Sequence, residues 1–399
     1  MPIAITNASL LLGKELDYVE TGYVEIDEGG TIKSAGEGSY RGAGKELNAR
    51  GFLVIPGLIN SHTHIADSIG KDIAVGDKLD ARVHPVFGAK KKILQKSLPE
   101  HLKAFIRNSA ISMMKKGIVA FADFREDGPA GVKLLKEAIA GLPIKCIALG
   151  RTSYYSDPSN VTGLPPEAVE EATRVLEMAD GLGISGANEN TDKALSQYRE
   201  LAGKKIVAIH AAESRETVEF SIARTGRSEV NRIIGWLKPD FIVHMTHAVE
   251  DEISLVAKSK TGIVICPRAN GVLGAGIPKV AQMLRHGCLV AIGTDNVMLN
   301  SPDLLRELDY IWKASRAIEG EMIPPREFLK MATINGAQIL RLNSGCIEAG
   351  RSADLLFIDK MHADLCPVHD PYAAIVHRLS QSSIASIMID GKFVEEDLN

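Results

Sequence analysis

The chain has 399 residues, 45% hydrophobic, 24% charged and 5% aromatic, which are globular proportions that exclude a disordered, collagen-like or low-complexity protein. Lys and Arg number 46 against 50 Asp and Glu, a net charge of −4, too balanced for nucleic acid or an anionic membrane to be the main partner. No apolar run approaches the ~18 residues of a membrane helix, and the opening MPIAITNASLLLGKELD lacks a basic region before its apolar stretch, so neither a membrane span nor a signal peptide is expected.

In chain order, residues 1–57 read as short strands (AITNASLLL, GYVEID, TIKSAG, FLVIPG) broken by Gly-rich turns. The rhythm then changes to β-rich runs, each followed by a helical pattern. VIPGLIN (54–60) is the first such run. IVAFADF (118–124) precedes a helix near 130–140, and IKCIALG (144–150) precedes one near 165–180. GISGA (183–187) leads to 191–202, KIVAIHA (205–211) to 214–225, and FIVHMT (241–246) to 249–258. GIVICP (262–267) and LVAIGTD (289–295) complete the set, with helices at 278–286 and 302–317. Eight β-then-α units predict an α/β fold, a TIM-like (β/α)8 barrel, with a doubly wound open sheet as the alternative. ADLLFID (353–359) and IASIMIDGKFV (384–394) return to the β-rich, turn-punctuated character of the N-terminus. The expected organisation is a barrel over 58–345 and a small composite β-sandwich domain from 1–57 plus 346–399.

Residues 65–97 form an over-long connection after the first strand, a candidate lid or substrate loop on the active-site face. Its Lys90-Lys91-Lys92 run reads as a solvated helix face. The five cysteines (Cys146, Cys266, Cys288, Cys346, Cys366) contain no CxxC pair, which argues against a thiolate zinc knuckle or a disulfide framework and for reduced thiols in the cytoplasm.

The chemistry-bearing residues cluster at strand ends. His62 and His64 form an H-x-H, and alternate residues of a strand point to one face, so two imidazoles aim at one point. His210 ends the fifth β-rich run, His244 lies on the sixth and Asp295 ends the eighth. In a barrel these ends crowd one mouth, where three neutral imidazoles and a carboxylate suit a divalent metal with a position left for water.

PGLINSHTH (56–64), IHAAE (209–213), VHMTH (243–247), CPRAN (266–270) and AIGTD (291–295), in this order, resemble the motifs of the amidohydrolase superfamily. The similarity is strongest to its cytosine deaminase, S-adenosylhomocysteine deaminase and triazine chlorohydrolase branch, and ATINGAQILRLNSGCIEAGRSADLLFID (332–359) resembles that branch's junction with the terminal β domain. The resemblance implies that His62, His64, His210 and Asp295 bind one divalent metal, with Zn2+ first by ligand type and Fe2+ or Mn2+ also suited. It implies that Asp295 takes the proton of the attacking water, that Glu213 shuttles it to a ring nitrogen, and that His244 hydrogen-bonds the hydroxide or the tetrahedral intermediate. His247 is read as structural.

The departures from the branch bear on substrate. GISGANEN (183–190) offers Asn188 and Glu189 where relatives often place a histidine, and the Trp- and Glu-containing motif of relatives is not recognisable in 65–97. That segment's ionisable candidates are Asp67, Arg82 and His84. His84, Asn188, Arg268 and Asn270 are the expected substrate contacts. No Lys stands at the fourth strand end, so one metal rather than a lysine-bridged pair is expected. The implied function is hydrolytic deamination of a small amino-substituted nitrogen heterocycle by metal-bound hydroxide, in a homo-oligomer. Cyclic amide hydrolysis, triazine-type dechlorination and a catalytically silent scaffold are the alternatives.

Overall fold

The computed structural model describes residues 2–73, 75–77, 79–84 and 88–394. The chain begins with β1 (Ile3–Leu12), β2 (Asp17–Ile26), β3 (Ile32–Glu37), β4 (Lys45–Asn48) and β5 (Phe52–Pro56). A parallel series follows: β6 (Leu58–His64), β7 (Ile118–Arg125), β8 (Lys145–Gly150), β9 (Gly181–Ile184), β10 (Ile206–Ala211), β11 (Phe241–His244), β12 (Gly262–Ile265), β13 (Val290–Ile292) and β14 (Asp295–Asn296). The chain returns to antiparallel pairing with β15 (Leu355–Asp359), β16 (Ile384–Ile389) and β17 (Lys392–Phe393).

The result is a mixed α/β fold with two sheets among the described residues. One runs β17-β16-β15-β5-β1-β2-β3 with β4 on β1, so strands from both ends of the chain share a sheet. Its own core gathers Ile5, Leu10, Val24, Ile26, Val54, Leu355, Phe357 and Met388. The other runs β13-β12-β11-β10-β9-β8-β7-β6-β14. Since β13 and β14 are separated only by Gly293 and Thr294, the series is barrel-like: β13 pairs with β12 at one end and β14 with β6 at the other. These parallel strands are mostly buried and several read as Val/Ile/Ala-rich runs, because helices cover their outer face.

The step between the two edges is held by side chains. The Thr294 amide donates to His62 O (3.0 Å) and to Asn60 Oδ1 (3.0 Å), and Asn60 Nδ2 donates to Thr294 Oγ1 (2.8 Å).

Two boundaries and one surface assignment differ from the expected ones. The run VIPGLIN is divided at Gly57, with Val54–Pro56 in the terminal sheet and Leu58 opening β6, so His62 and His64 lie within the first parallel strand rather than past it. A Cβ at Gly57 would sit 2.4 Å from Val119 Cγ1, which is why the chain changes sheets at a glycine. β9 ends at Ile184, since the carbonyls that follow turn away from the ladder: Ser185 O accepts from His210 Nδ1 and Ala187 O from Arg232. Finally, Lys90 is not on a solvated face. It lies buried on the inward side of the helix Ala89–Lys96, beside Leu94 one turn on. Residues 74, 78 and 85–87 of the 65–97 segment lie outside the described residues.

Candidate active site

The registers of the parallel strands explain the convergence. Asp295 pairs with Thr63, between His62 and His64, and Ala211 pairs with His244. His62 Nε2 lies 3.2 Å from Asp295 Oδ1 and 3.2 Å from His210 Nε2, and His64 Nε2 lies 3.4 Å from His210 Nε2. One ligand atom from each of His62, His64, His210 and Asp295 falls within 4.8 Å of all the others, a group that could hold a metal ion. Glu213, His244 and Asp295 make a second such group, sharing Asp295.

The hydrogen-bonding of the rings tests whether a cation fits. His64 Nδ1 faces Glu126 Oε1 (3.1 Å) and Phe124 O (3.2 Å), and His210 Nδ1 faces Ser185 O (2.8 Å) and Ile184 O (3.2 Å). All four are acceptors, so both Nδ1 atoms must carry the proton, and the two Nε2 atoms meet lone pair to lone pair. Such a contact is repulsive unless a cation lies between the nitrogens, and fixing the remote ring nitrogen by an acceptor is the usual support of a metal-bound histidine.

Electrostatics agree. Burial drives the His62 and His210 rings below the ordinary histidine range, and burial aided by the nearby Lys90 ammonium takes His64 down to about 3. The rings are therefore neutral at ordinary pH, the form in which an imidazole can hold a metal. Burial opposes the Asp295 charge, but the His62 hydrogen bond and the surrounding imidazoles hold its carboxyl well below the usual range. His244 and Asp295 both sit at positive φ (80° and 58°), strained backbone that turns these side chains out of their strands toward the mouth.

The remaining partners surround this centre. His244 Nε2 lies 3.6 Å from Glu213 Oε2, and its Nδ1 donates to Asn270 Oδ1 at 3.0 Å. A cavity of about 100 Å3 opens over His64, His210, Glu213, His244 and Asp295, with His84, Lys90, Arg151, Asn188 and Glu189 on its walls. Adjoining it, a cavity of about 400 Å3 shares His84, Lys90 and Arg151.

Of the expected substrate contacts, the structure brings His84 and Asn188 to the inner cavity. Asn188 Nδ2 donates to Thr217 O (2.9 Å), and its buried Oδ1 has no partner among the described residues. Arg268 and Asn270 are not brought there. Arg268 is held by Glu307 through its amide (3.1 Å) and guanidinium (3.4 Å), and the fully buried Asn270 supports His244 instead. His247 Nε2 donates to Ala275 O.

Two supports near the centre were not foreseen: Glu126 holds His64, and Lys90 Nζ lies 2.6 Å from Glu126 Oε1. The sequence signal for Glu126 was a carboxylate two residues past the β-rich run IVAFADF, a common pattern at helix starts. Asp67, an expected candidate of the 65–97 segment, is buried and accepts from Asn296 Nδ2 (2.7 Å) and the Met298 amide (3.0 Å), bracing the turn after Asp295.

Comparison with known proteins agrees with this geometry. The amidohydrolase family model matches residues 53–394. A protein of Methanothermobacter thermautotrophicus is 38% identical over 396 residues, covering 98% of this chain and 99% of that one. The 5-methylthioadenosine/S-adenosylhomocysteine deaminase of Moorella thermoacetica is 29% identical over 364 residues, covering 87% and 83% of the two chains. Among solved structures, the zinc complex of atrazine chlorohydrolase from Arthrobacter aurescens has the same fold, with a TM-score of 0.85 at 20% identity over 98% of this chain and 94% of that one. The chain belongs to the amidohydrolase family, hydrolases of carbon–nitrogen bonds.

Proposed function

We propose that this protein is a metal-dependent deaminase of a small amino-substituted nitrogen heterocycle, such as a nucleobase or nucleoside. The observation that carries the reading is the placement of Glu213 and His244 on the cavity side of the His62–His64–His210–Asp295 group. His62, buried behind the others, would complete the ligand set. A divalent cation held there, Zn2+ first by ligand type, supplies Lewis acidity and lowers the pKa of a bound water toward neutrality.

The chain's own residues supply the rest. Protonated Glu213 gives its proton to the ring nitrogen next to the attacked carbon as Asp295 accepts one from the attacking water. The Asp295 proton then leaves with ammonia, and Glu213 recovers a proton from the new hydroxyl as the carbonyl forms. His244, its Nδ1–H committed to Asn270, presents Nε2 to the reacting oxygen. Asn188 and His84 contact the heterocycle. The name of the Moorella relative supports a purine-type substrate.

The same reading extends to architecture. The parallel strands form a (β/α)8 barrel over 58–345, and 1–57 plus 346–399 form a composite β domain whose shared sheet ties the chain ends together.

Ammonia release by zinc-loaded protein across a panel of bases and nucleosides tests the function. Loss of turnover on chelation, with recovery on zinc addition, is expected. Active substrates that all yield hydrolysis products without ammonia would rule out the deaminase.

A further inference from the structure

The Lys-rich helix of the 65–97 segment reaches the metal-ligand group. Lys90 Nζ lies 2.6 Å from Glu126 Oε1, and that same oxygen lies 3.1 Å from His64 Nδ1. The other oxygen, Oε2, accepts from Arg125 at 2.6 Å. Asp67 is the next carboxylate to Lys90, at 3.9 Å, and Arg151 is 3.7 Å from Glu126. Lys90, Glu126 and His64 are each at least nine-tenths buried. Their neighbours Lys91 and Asp127 repeat the pairing at 3.3 Å, so the helix is fastened to the end of β7 by two successive ion pairs.

From this geometry we infer that Lys90 is a positioning residue for the metal centre, acting on His64 through Glu126. A carboxylate can turn about its own axis, and Glu126 is useful to His64 only while Oε1 stays in the plane of the ring. Arg125 fixes one oxygen and Lys90 the other, so both lone-pair directions are occupied and the Oε1–His64 contact is held. The ammonium also offsets the carboxylate charge that would otherwise be buried beside the ligand ring. The helix Ala89–Lys96 thereby becomes part of the support of the metal site, and its Lys90 also lines the cavity.

The inference rests on His64 being a metal ligand, and the test separates the two. Zinc affinity of the full chain is measured by competition with a chromophoric chelator, and the absorption spectrum of the Co2+-substituted protein reports the ligand field. Failure of the unmodified protein to bind zinc would defeat the metal reading itself. With binding established, Lys90→Met is expected to weaken zinc binding by about 10-fold, within the ~10–100-fold range for groups behind a ligand, and to alter the cobalt spectrum. Lys90→Arg is expected to restore both. Glu126→Gln should weaken binding at least as much, and adding Lys90→Met to it should cost nothing further. Unchanged affinity and spectrum in folded Lys90→Met would overturn the inference. So would an undiminished effect of Lys90→Met in the Glu126→Gln background, a comparison that holds even where the single variant is poorly folded.

Discussion

Gly293 lies directly against His62: a Cβ added to it would stand 2.7 Å from His62 Cβ and 2.8 Å from the His62 amide nitrogen. No side chain fits between the closing strand and the ligand-bearing one. Gly293→Ala is expected to push β6 and the closing strand apart at the ligands, costing ~1–3 kcal/mol as overpacking does. Thermal unfolding should show a midpoint lowered by several degrees together with reduced zinc affinity. A midpoint equal to that of the unmodified protein would show that the strands have slack there.

Asp295→Asn keeps the size of the side chain and removes its charge. It is expected to lower kcat by ~10^2–10^4-fold, the span of a positioned base, with weaker zinc retention and an unchanged far-ultraviolet circular dichroism spectrum. Turnover near that of the unmodified protein would remove Asp295 from the reaction.

Asn270 fixes which nitrogen of His244 carries the proton. Asn270→Ala leaves the buried His244 Nδ1 and Thr246 hydroxyl without this partner, so a stability loss of ~1–3 kcal/mol is expected in urea unfolding. The free ring can also adopt the other tautomer, and kcat should fall by at least about 10-fold with KM changed less. A fall in stability alone, with kcat intact, would leave Asn270 a packing residue.

Glu229 is buried against the start of the loop that carries Glu213. Burial, helped by the nearby Glu189 and Glu213 charges, raises its carboxyl to about 8, while the Ala212 amide donates to it at 3.1 Å. A folded-state value above the ordinary 4.5 means the native state binds the proton more tightly than the unfolded chain. Stability from this group is therefore full below about 4.5 and is lost as pH rises toward 8, by at most ~1.4 kcal/mol per pH unit. Glu229→Gln, which mimics the protonated form, should flatten the pH dependence in that window. Parallel curves for the two proteins would place the proton elsewhere.

The sequence made the group that could hold a metal legible because each member sits at or near the end of a β-rich run, and parallel strands bring such ends to one side whatever lies between them. His62, His64, His210 and Asp295 could be placed together without knowing a single distance. The supports were harder. Glu126 meets His64 across adjacent strands, and Lys90 meets Glu126 from a helix whose Lys92 is exposed and whose Lys91 pairs with Asp127, so local patterning missed the one buried lysine. Asn270 was visible in CPRAN as a polar residue past a strand, yet the choice between cavity and His244 depends on the direction of one side chain. The division of VIPGLIN at Gly57 was hidden for a related reason: both halves are strand, and only tertiary pairing assigns them to different sheets.

The His62–Asp295 contact also joins positions 233 residues apart. On a growing polypeptide, three of the four side chains of this group exist long before the fourth has been synthesised. The carboxylate arrives only with the strand that closes the series, so the full set could capture a metal only late in the life of each chain. An ion bound with all four groups reports that the last strand has found the first.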